Sequence, residues 1–147
     1  EVKEVFKLFT TPSQEEAKRI FQKLIKKHEE RKEKLREIIK KTEENFNLAE
    51  EIIFVGGEDF DYSLVPSIAS YLAQNYKKPS FVYKINEKEA VGSARAPEKF
   101  NLIDLMKKCQ QFLISFGGHP QAGGFRVLKE NLENLKACLI SNLKNKK

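Results

Sequence analysis

The first third of the chain has hydrophobic residues at helical spacing. Between residues 12 and 45, apolar positions return three or four residues apart, although residues 28–34 are almost entirely charged. Thr11, Pro12 and Gln14 fit an N-cap, a first helical position and a capping-box position. Such a helix is about 50 Å long at 1.5 Å per residue. The pattern predicts a strut between two domains, with a coiled coil or a simple helical arm as the alternative.

After residue 47 the pattern changes to short strands that alternate with helices. Asn101 fits a helix N-cap, residues 117–124 fit a glycine-rich turn, and residues 144–147 a disordered tail. Alternation of this kind predicts an α/β fold, a mixed β-sheet sandwiched by helices and preceded by a long N-terminal connector helix. We predict a connector segment at residues 1–47 and a domain at residues 48–147. Strands are predicted at residues 52–55, 80–85, 90–94 and 125–128, and helices at 66–76, 101–114 and 130–143.

The composition adds a basic charge and a prediction of compartment. The formal net charge is +6, and residues 101–147 hold 8 Lys/Arg against 3 Asp/Glu. A basic chain fits an acidic partner such as a nucleic acid, or a lysine-rich surface that is only solvated. No apolar run is long enough for a membrane span, and no signal-peptide core is present. Cys109 and Cys138 lie in helical patterns, which predicts two free core thiols in a reducing cytoplasm.

The segment FGGHPQAGGF, residues 116–125, is the most informative part of the chain. Glycines permit positive φ and a close approach of the backbone to a ligand, and successive N–H groups in a turn can bind an anion. His119 can donate to a phosphate oxygen or stack on a base. The alternative is a structural turn in which His119 is a helix C-cap. One glycine is enough to end a helix, however, and this segment has four. The candidate phosphate-binding residues here are Gly117, Gly118, His119, Gly123 and Gly124.

A second candidate segment, GSARA, spans residues 92–96. Gly92, Ser93 and Arg95 place a small residue, a hydroxyl and a guanidinium together, and an arginine fork matches phosphate geometry. A lone arginine near a strand end is otherwise a surface charge. If the sheet brings this segment beside the glycine segment, the two form the halves of one phosphate clamp.

At these residues the chain resembles a known family. FGGHPQAGGF is similar to the GGHxxAAG signature, and GSARA to the GSARS segment, of the DHH-associated C-terminal domain in RecJ-type single-strand exonucleases. FNLIDLMKKCQQFLISFGGH and VPSIASYLAQNYKKPSFV resemble the family's helices, and the long helix resembles its interdomain connector. The resemblance implies that this domain binds nucleotide phosphate and base. It also implies a separate N-terminal domain that holds Mn²⁺ or Mg²⁺ and activates water.

Three departures from the family pattern affect the proposed clamp. Ala96 replaces the usual serine, Gly123 stands where alanine is usual, and residues 60–63 lack the usual aromatic-His-Pro-Gly lead-in. The chain has no Asp-His-His motif, and its only histidines are His28 and His119. We therefore expect no metal, no cofactor and no hydrolysis from this chain alone, and a solvated His28. Lys107, Lys108 and Arg126 either extend a basic rim or are solvated charges.

The resemblance implies a nucleic-acid-binding domain, specific for single-strand ends, of a RecJ-like phosphodiesterase or 5′ exonuclease. DNA is favoured over RNA, and the catalytic DHH domain is expected in cis or as a separate chain. Two alternatives stay open: the substrate domain of an oligoribonuclease or cyclic-dinucleotide phosphodiesterase, and a non-catalytic replication scaffold. Relatives with oligoribonucleotide or cyclic substrates have an extra glycine before the histidine, where this chain has Phe116. The domain of alanyl-tRNA synthetase is disfavoured because its glycine pattern differs.

Overall fold

The computed structural model describes residues 1–144, and the chain forms two compact units, Glu1–Glu37 and Ile38–Lys147. The boundary between the units falls inside the long helix that the sequence predicts. The functional division at residues 47 and 48 stays a prediction. None of the helices within residues 1–144 combines the length and the apolar character that crossing a membrane requires.

The first unit is built from helix α1, Val2–Thr10, and most of helix α2, Gln14–Glu43. Glu4 on α1 forms ion pairs with two lysines of α2, at 2.7 Å from Lys23 and 2.8 Å from Lys27. Hydrogen bonds from these two ammonium groups lower the pKa of the Glu4 carboxyl to about 2. The sequence patterns did not predict α1, whereas the long helix α2 is confirmed.

The start of α2 differs from its prediction by two residues. Ser13, not Thr11, accepts the hydrogen bond of the Glu16 backbone N–H, at 3.3 Å. The backbone carbonyl of Ser13 accepts the first helical bond, from Ala17 at 3.0 Å. Thr11 instead donates its hydroxyl to the Glu16 carboxylate at 2.7 Å. The N-cap is therefore Ser13, after Pro12. Its side chain accepts from an otherwise unpaired backbone N–H group of the first helical turn, as was predicted for Thr11.

The second unit is organised around a five-stranded mixed sheet in the order β1-β2-β3-β5-β4. The pair β1–β2 is parallel, and the pairs β2–β3, β3–β5 and β5–β4 are antiparallel. This confirms the predicted mixed sheet, and β4 is one of its two edges. The strands are β1 Ile53–Gly57, β2 Ser80–Ile85, β3 Glu89–Arg95, β4 Leu113–His119 and β5 Ala122–Leu128.

Helices cover the two faces of the sheet to different extents. Helices α4, Leu102–Lys108, and α5, Leu132–Lys144, share one apolar cluster with Phe81 and Phe125 of the sheet. Helix α3, Val65–Tyr76, contacts β2 and β3 on the other face with its own buried residues. Beyond α3, this second face of β5 and β4 is largely exposed. The Asn101 side chain accepts from two N–H groups in the first turn of α4, which confirms the predicted cap.

The predicted glycine-rich turn at residues 117–124 is wrong. Leu113–His119 and Ala122–Leu128 are paired strands, and only Pro120 and Gln121 form the turn between them. The helix predicted to residue 114 ends at Lys108 and is followed by a 3-10 turn, Gln110–Phe112. The apolar residues at 112–116 fit both a helical and a strand period, and those from Leu113 onward form a strand because they pair with β5. Residues 145–147 of the predicted disordered tail lie outside the described residues, and Lys144 ends α5.

The prediction of two free thiols is also wrong. Cys109 and Cys138 form a disulfide, with their Cα atoms 5.9 Å apart. Cys109 is the C-terminal cap of α4 and is fully buried, while Cys138 lies on α5. The two residues are 29 positions apart without a recognisable spacing motif, so only the packing of α4 against α5 brings them together.

Candidate functional site

The sheet register brings the two predicted segments side by side. Arg95 of β3 and His119 of β4 both pair with the same residue of β5, while Ser93 and Gly117 both pair with Gly124. Alternation along each strand places these five residues on one face, and we call them the glycine face. Because neighbouring strands lie about 4.8 Å apart, Arg95 and His119 are separated by roughly 10 Å. Gly117, His119 and Gly124 are exposed, and Ser93 and Arg95 are half-buried.

The other three glycines of the prediction are constrained by the fold. A Cβ on Gly92 would lie 2.5 Å from the Phe125 ring, and a Cβ on Gly123 would lie 3.0 Å from the Met106 side chain. Gly118 has a φ of +130°, where a Cβ would also lie 2.4 Å from the carbonyl oxygen of residue 122. These three glycines are therefore required by packing and backbone conformation.

Gly117 and Gly124 have no such structural requirement. No atom lies within 4 Å of a Cβ built on Gly117, and a Cβ on Gly124 would make only one ordinary contact, at 3.7 Å. Neither residue has a positive φ. Glycine in a strand interior weakens the strand. The fold would accept larger residues here, so the two glycines leave bare backbone exposed on the glycine face.

Arg95 is the uncompensated cation of the glycine face. Its guanidinium donates to the backbone carbonyl of Ala94 at 2.8 Å and to that of Gly123 at 3.5 Å. Partial burial lowers the pKa of Arg95 from its ordinary value, although a guanidinium stays charged at neutral pH. No salt bridge among residues 1–144 includes this side chain. A partly desolvated cation without a carboxylate partner is suited to an anionic ligand.

The other basic residues considered from the sequence contribute less to this face. Arg126 lies on the same face of β5, but its guanidinium donates to both carboxylate oxygens of Glu89 at 2.9 Å. Lys107 and Lys108 end α4, which packs on the opposite face of the sheet. Of the two alternatives for these residues, a basic rim around the glycine face is therefore the one that the structure does not support.

The helix that borders the glycine face was predicted at residues 66–76, but the polar stripe on its surface was not recognised. Helix α3 presents Ser67, Ser70, Gln74 and the residue after its last turn, Lys77, at helical spacing. These polar residues form a stripe at positions i, i+3, i+7 and i+10, which the helical period would have revealed. Part of this stripe lines a shallow depression of about 280 Å³ that also includes Arg95.

A second shallow depression, also of about 280 Å³, lies at the other end of the glycine face. Gly117 and Gly124 form part of its floor, and Tyr62 and Arg126 line its sides. Tyr62 belongs to the loop that departs from the family pattern, and its side chain is exposed. The loop of residues 60–63 therefore still reaches the glycine face. It presents the phenol of Tyr62 there and lacks the family's aromatic-His-Pro-Gly sequence.

No group of three or more His, Cys, Asp or Glu side chains within residues 1–144 is placed to hold a metal ion. What this site offers is a guanidinium, an imidazole, a hydroxyl and exposed backbone. These groups bind anions and hydrogen-bond acceptors.

The fold and the paired glycine motif define a DHH-associated domain. The profile of the DHHA1 domain family matches residues 45–145, so the chain belongs to this family, and the predicted resemblance is confirmed. Among curated proteins, the chain is similar to the single-stranded-DNA-specific exonuclease RecJ of Bacillus subtilis (strain 168). The two are 35% identical over 78 residues, which cover 52% of this chain and 10% of that protein.

Solved structures of RecJ share the fold. A crystal structure of exonuclease RecJ bound to manganese superposes with a TM-score of 0.81 at 16% identity, over 97% of this chain and 36% of that one. RecJ from Thermus thermophilus in complex with Mn²⁺ gives a TM-score of 0.83 at 16% identity, over 97% of this chain and 22% of that one. The chain thus spans about a tenth to a third of the length of these relatives.

Proposed function

We propose that the glycine face binds the end of a single-stranded nucleic acid, with DNA favoured over RNA, as the substrate-holding part of a RecJ-like phosphodiesterase or 5′ exonuclease. Membership of the DHHA1 family and similarity to a single-stranded-DNA-specific exonuclease support this proposal. Residues 48–147 would be the substrate domain and residues 1–47 the connector. The catalytic DHH domain would lie in sequence outside this chain, in cis or as a separate chain.

One observation carries the proposal. Gly117 and Gly124 lack a side chain where the fold would accept one, and on the same exposed face they form a row with Ser93 that lies two residues along the strands from the row of Arg95 and His119. Where the backbone does not need glycine, a strand interior favours residues with a side chain. Bare backbone beside a cation and an imidazole allows a sugar-phosphate chain to approach closely.

Each residue of the glycine face has a distinct role in this proposal. The Arg95 guanidinium binds a phosphate through two of its N–H groups, and the Ser93 hydroxyl donates to the same or the neighbouring phosphate. The His119 imidazole donates to a phosphate oxygen or stacks on the terminal base. Manganese or magnesium held by the catalytic domain would supply the activated water. This chain's residues would position the strand end and would not hydrolyse it alone.

The test is fluorescence anisotropy with a labelled, 5′-phosphorylated single strand and with a blunt duplex of the same sequence. The proteins are the unaltered chain, Arg95→Ala and His119→Ala, each measured across a salt series. We expect weak binding that prefers the single strand. Each variant should lose about tenfold in affinity, because a charge-assisted hydrogen bond contributes about 1.5–3 kcal/mol.

Arg126→Ala is the matched control, because its guanidinium lies on the same face but is neutralised by Glu89. It should bind the single strand nearly as well as the unaltered chain. If all three variants bind the single strand and the duplex with the same affinities as the unaltered chain, the lysines attract phosphate without specificity and the proposal fails. Hydrolysis of the strand by the chain alone, with added manganese, would contradict the expected absence of catalysis.

A further inference from the structure

A cavity with a mainly apolar lining lies in the second unit, away from the glycine face. It has a volume of about 490 Å³, which is within the usual size range of small-molecule sites. Tyr76 and Phe100 contribute aromatic rings to its lining, and Leu105 and Leu143 contribute aliphatic side chains. An open cavity with aromatic walls is suited to a flat ring.

The rim of this cavity is basic. Four lysines line it, against Glu51 as the one carboxylate among its described lining residues. The ammonium group of Lys99 lies 5.0 Å from the centre of the Phe100 ring, so cation and ring are presented together. The lysines are Lys77, Lys78, Lys99 and Lys108. Aromatic walls beneath several cations match a nucleoside phosphate, which carries a planar base and an anion.

Lys77 connects this cavity to the glycine face. Lys77 lines both this cavity and the depression that contains Arg95. The loop between the two cavities is held in place by the hairpin: the Ala96 N–H donates to the Gln121 carbonyl at 3.0 Å, and the Leu102 N–H to the Pro120 carbonyl at 2.8 Å. A strand bound at Arg95 therefore has a basic, ordered path toward the large cavity.

Lys77 also has an unusual backbone conformation. It ends α3 with φ 55° and ψ 34°, and it is the only non-glycine residue with positive φ within residues 1–144. This left-handed region disfavours residues that carry a Cβ, and glycine is the usual choice at a helix C-terminus. A long cation therefore occupies a position where glycine would be more stable, at the junction of the two cavities.

We propose that the cavity lined by Tyr76, Lys77, Lys99, Phe100 and Lys108 is a second subsite, which binds a nucleoside phosphate unit. The inference rests on the proposed function, because the simplest source of that unit is the strand whose end lies on the glycine face. A free mononucleotide has the same chemistry, and the length of the bound strand distinguishes the two sources.

The test compares two strand lengths. We expect a 5′-phosphorylated dinucleotide to make most of its contacts on the glycine face, whereas a strand of about eight nucleotides, the usual site size of a single-strand-binding domain, can occupy both sites. The proteins are the unaltered chain, the Lys99→Gln/Lys108→Gln double variant and Arg95→Ala. Lys107→Gln is the control, because Lys107 is an exposed neighbour of Lys108 on α4 that does not line the cavity.

The double variant should bind the longer strand about 25-fold more weakly at 0.1 M salt, since each phosphate contact contributes about fivefold there. Its salt slope should fall by about 1.4, and its affinity for the dinucleotide should fall by less than its affinity for the longer strand. Arg95→Ala should weaken binding of both lengths. If the double variant matches Lys107→Gln on the longer strand while Arg95→Ala still weakens it, the second subsite is refuted and the proposed function stands.

Two further arms complete the test. Adenosine 5′-monophosphate that binds the unaltered chain but not the double variant would identify a free nucleotide as the source. If the unaltered chain binds neither strand, the proposed function is refuted. If it then also fails to bind the mononucleotide, the second subsite is refuted as well. Lys77→Gly separates binding from structure: its midpoint of thermal unfolding should rise by about 2–4 °C while its affinity for the longer strand falls about fivefold. A fall in both the unfolding midpoint and the affinity, or an affinity that does not change, would contradict the proposed role of Lys77.

Discussion

Replacing the two open glycines by alanine should make the domain more stable and bind nucleic acid less well. Gly117 and Gly124 lie in β4 and β5 with no positive φ, and a Cβ on either meets nothing closer than 3.7 Å. Glycine in a strand interior destabilises by roughly 0.5–1 kcal/mol relative to alanine. The double variant Gly117→Ala/Gly124→Ala should therefore gain about 1–2 kcal/mol in the free energy of unfolding.

The gain corresponds to an increase in the unfolding midpoint of about 2–4 °C per kcal/mol for a chain of this size. Binding should change in the opposite direction, because two methyl groups now lie where the sugar-phosphate backbone approaches. Loss of one charge-assisted hydrogen bond would lower the affinity for a single strand about tenfold or more. A residue with only a structural role does not produce opposite signs in these two measurements.

Gly92 and Gly118, which the fold constrains, supply the controls. Gly118→Ala places a Cβ at φ +130°, 2.4 Å from a backbone oxygen, and Gly92→Ala places one 2.5 Å from the Phe125 ring. Each control should destabilise the domain by about 1–3 kcal/mol, through strain or overpacking. Gly92→Ala differs from the test variants in the face toward which the new methyl group points, and Gly118→Ala differs in the backbone conformation of the substituted residue.

Thermal or urea unfolding followed by circular dichroism measures stability, and anisotropy with a 5′-phosphorylated single strand measures affinity. Two results would refute the reasoning. If Gly117→Ala/Gly124→Ala is more stable but binds normally, the ligand does not approach the glycine face. If this variant loses more than about 1 kcal/mol of stability, the two glycines are required by the fold and carry no information about a ligand.

Two further predictions concern the disulfide and the first unit. Cys138→Ser opens a loop of 29 positions closed through Cys109, and the chain-entropy estimate for such a loop is about 3.6 kcal/mol. The unfolding midpoint of this variant should fall, and a reducing agent should lower the midpoint of the unaltered chain by the same amount. If the unaltered chain has the same midpoint with and without reductant, the disulfide does not stabilise the fold. The pKa of Glu4 is lowered from 4.5 to about 2, so its ion pairs stabilise the helical hairpin above pH 4.5 and their contribution is lost as the pH falls toward 2. A carboxyl NMR titration of Glu4 with a midpoint near 4.5 would contradict this, and Glu4→Gln should remove that part of the acid dependence of helicity.

Local patterns predicted the elements whose signals do not depend on distant partners. The bounds of β2, Ser80–Ile85, agree with the strand predicted from β-branched and aromatic residues. Asn101 caps α4 as expected, because the capping interaction is contained within four residues. By contrast, the end of α4 was placed too late. The apolar residues after Lys108 satisfy both a helical and a strand period, and only pairing with β5 decides between them.

The site was predicted in part for the same reason. Arg95 and His119 were selected from their motifs, and the register of β3, β5 and β4 explains how residues 24 positions apart share one face. The polar stripe of α3 was missed although its period is readable, because serine and glutamine on an exposed helix face are common. The disulfide between Cys109 and Cys138 depends on the docking of two helices, which no local pattern records.

Strand alternation explains why the motif contains glycines in pairs. In each pair, one residue lies on the glycine face and the other is constrained by the fold. Gly118 and Gly123 are required by backbone conformation and by packing against Met106, so selection for a stable fold alone accounts for them. Gly117 and Gly124 have free space above them, and stability alone would favour a larger residue at both positions. Under the proposed function, the motif combines a structural requirement at Gly118 and Gly123 with a ligand requirement at Gly117 and Gly124, and substitutions at Gly117 and Gly124 test the ligand requirement without disturbing the core.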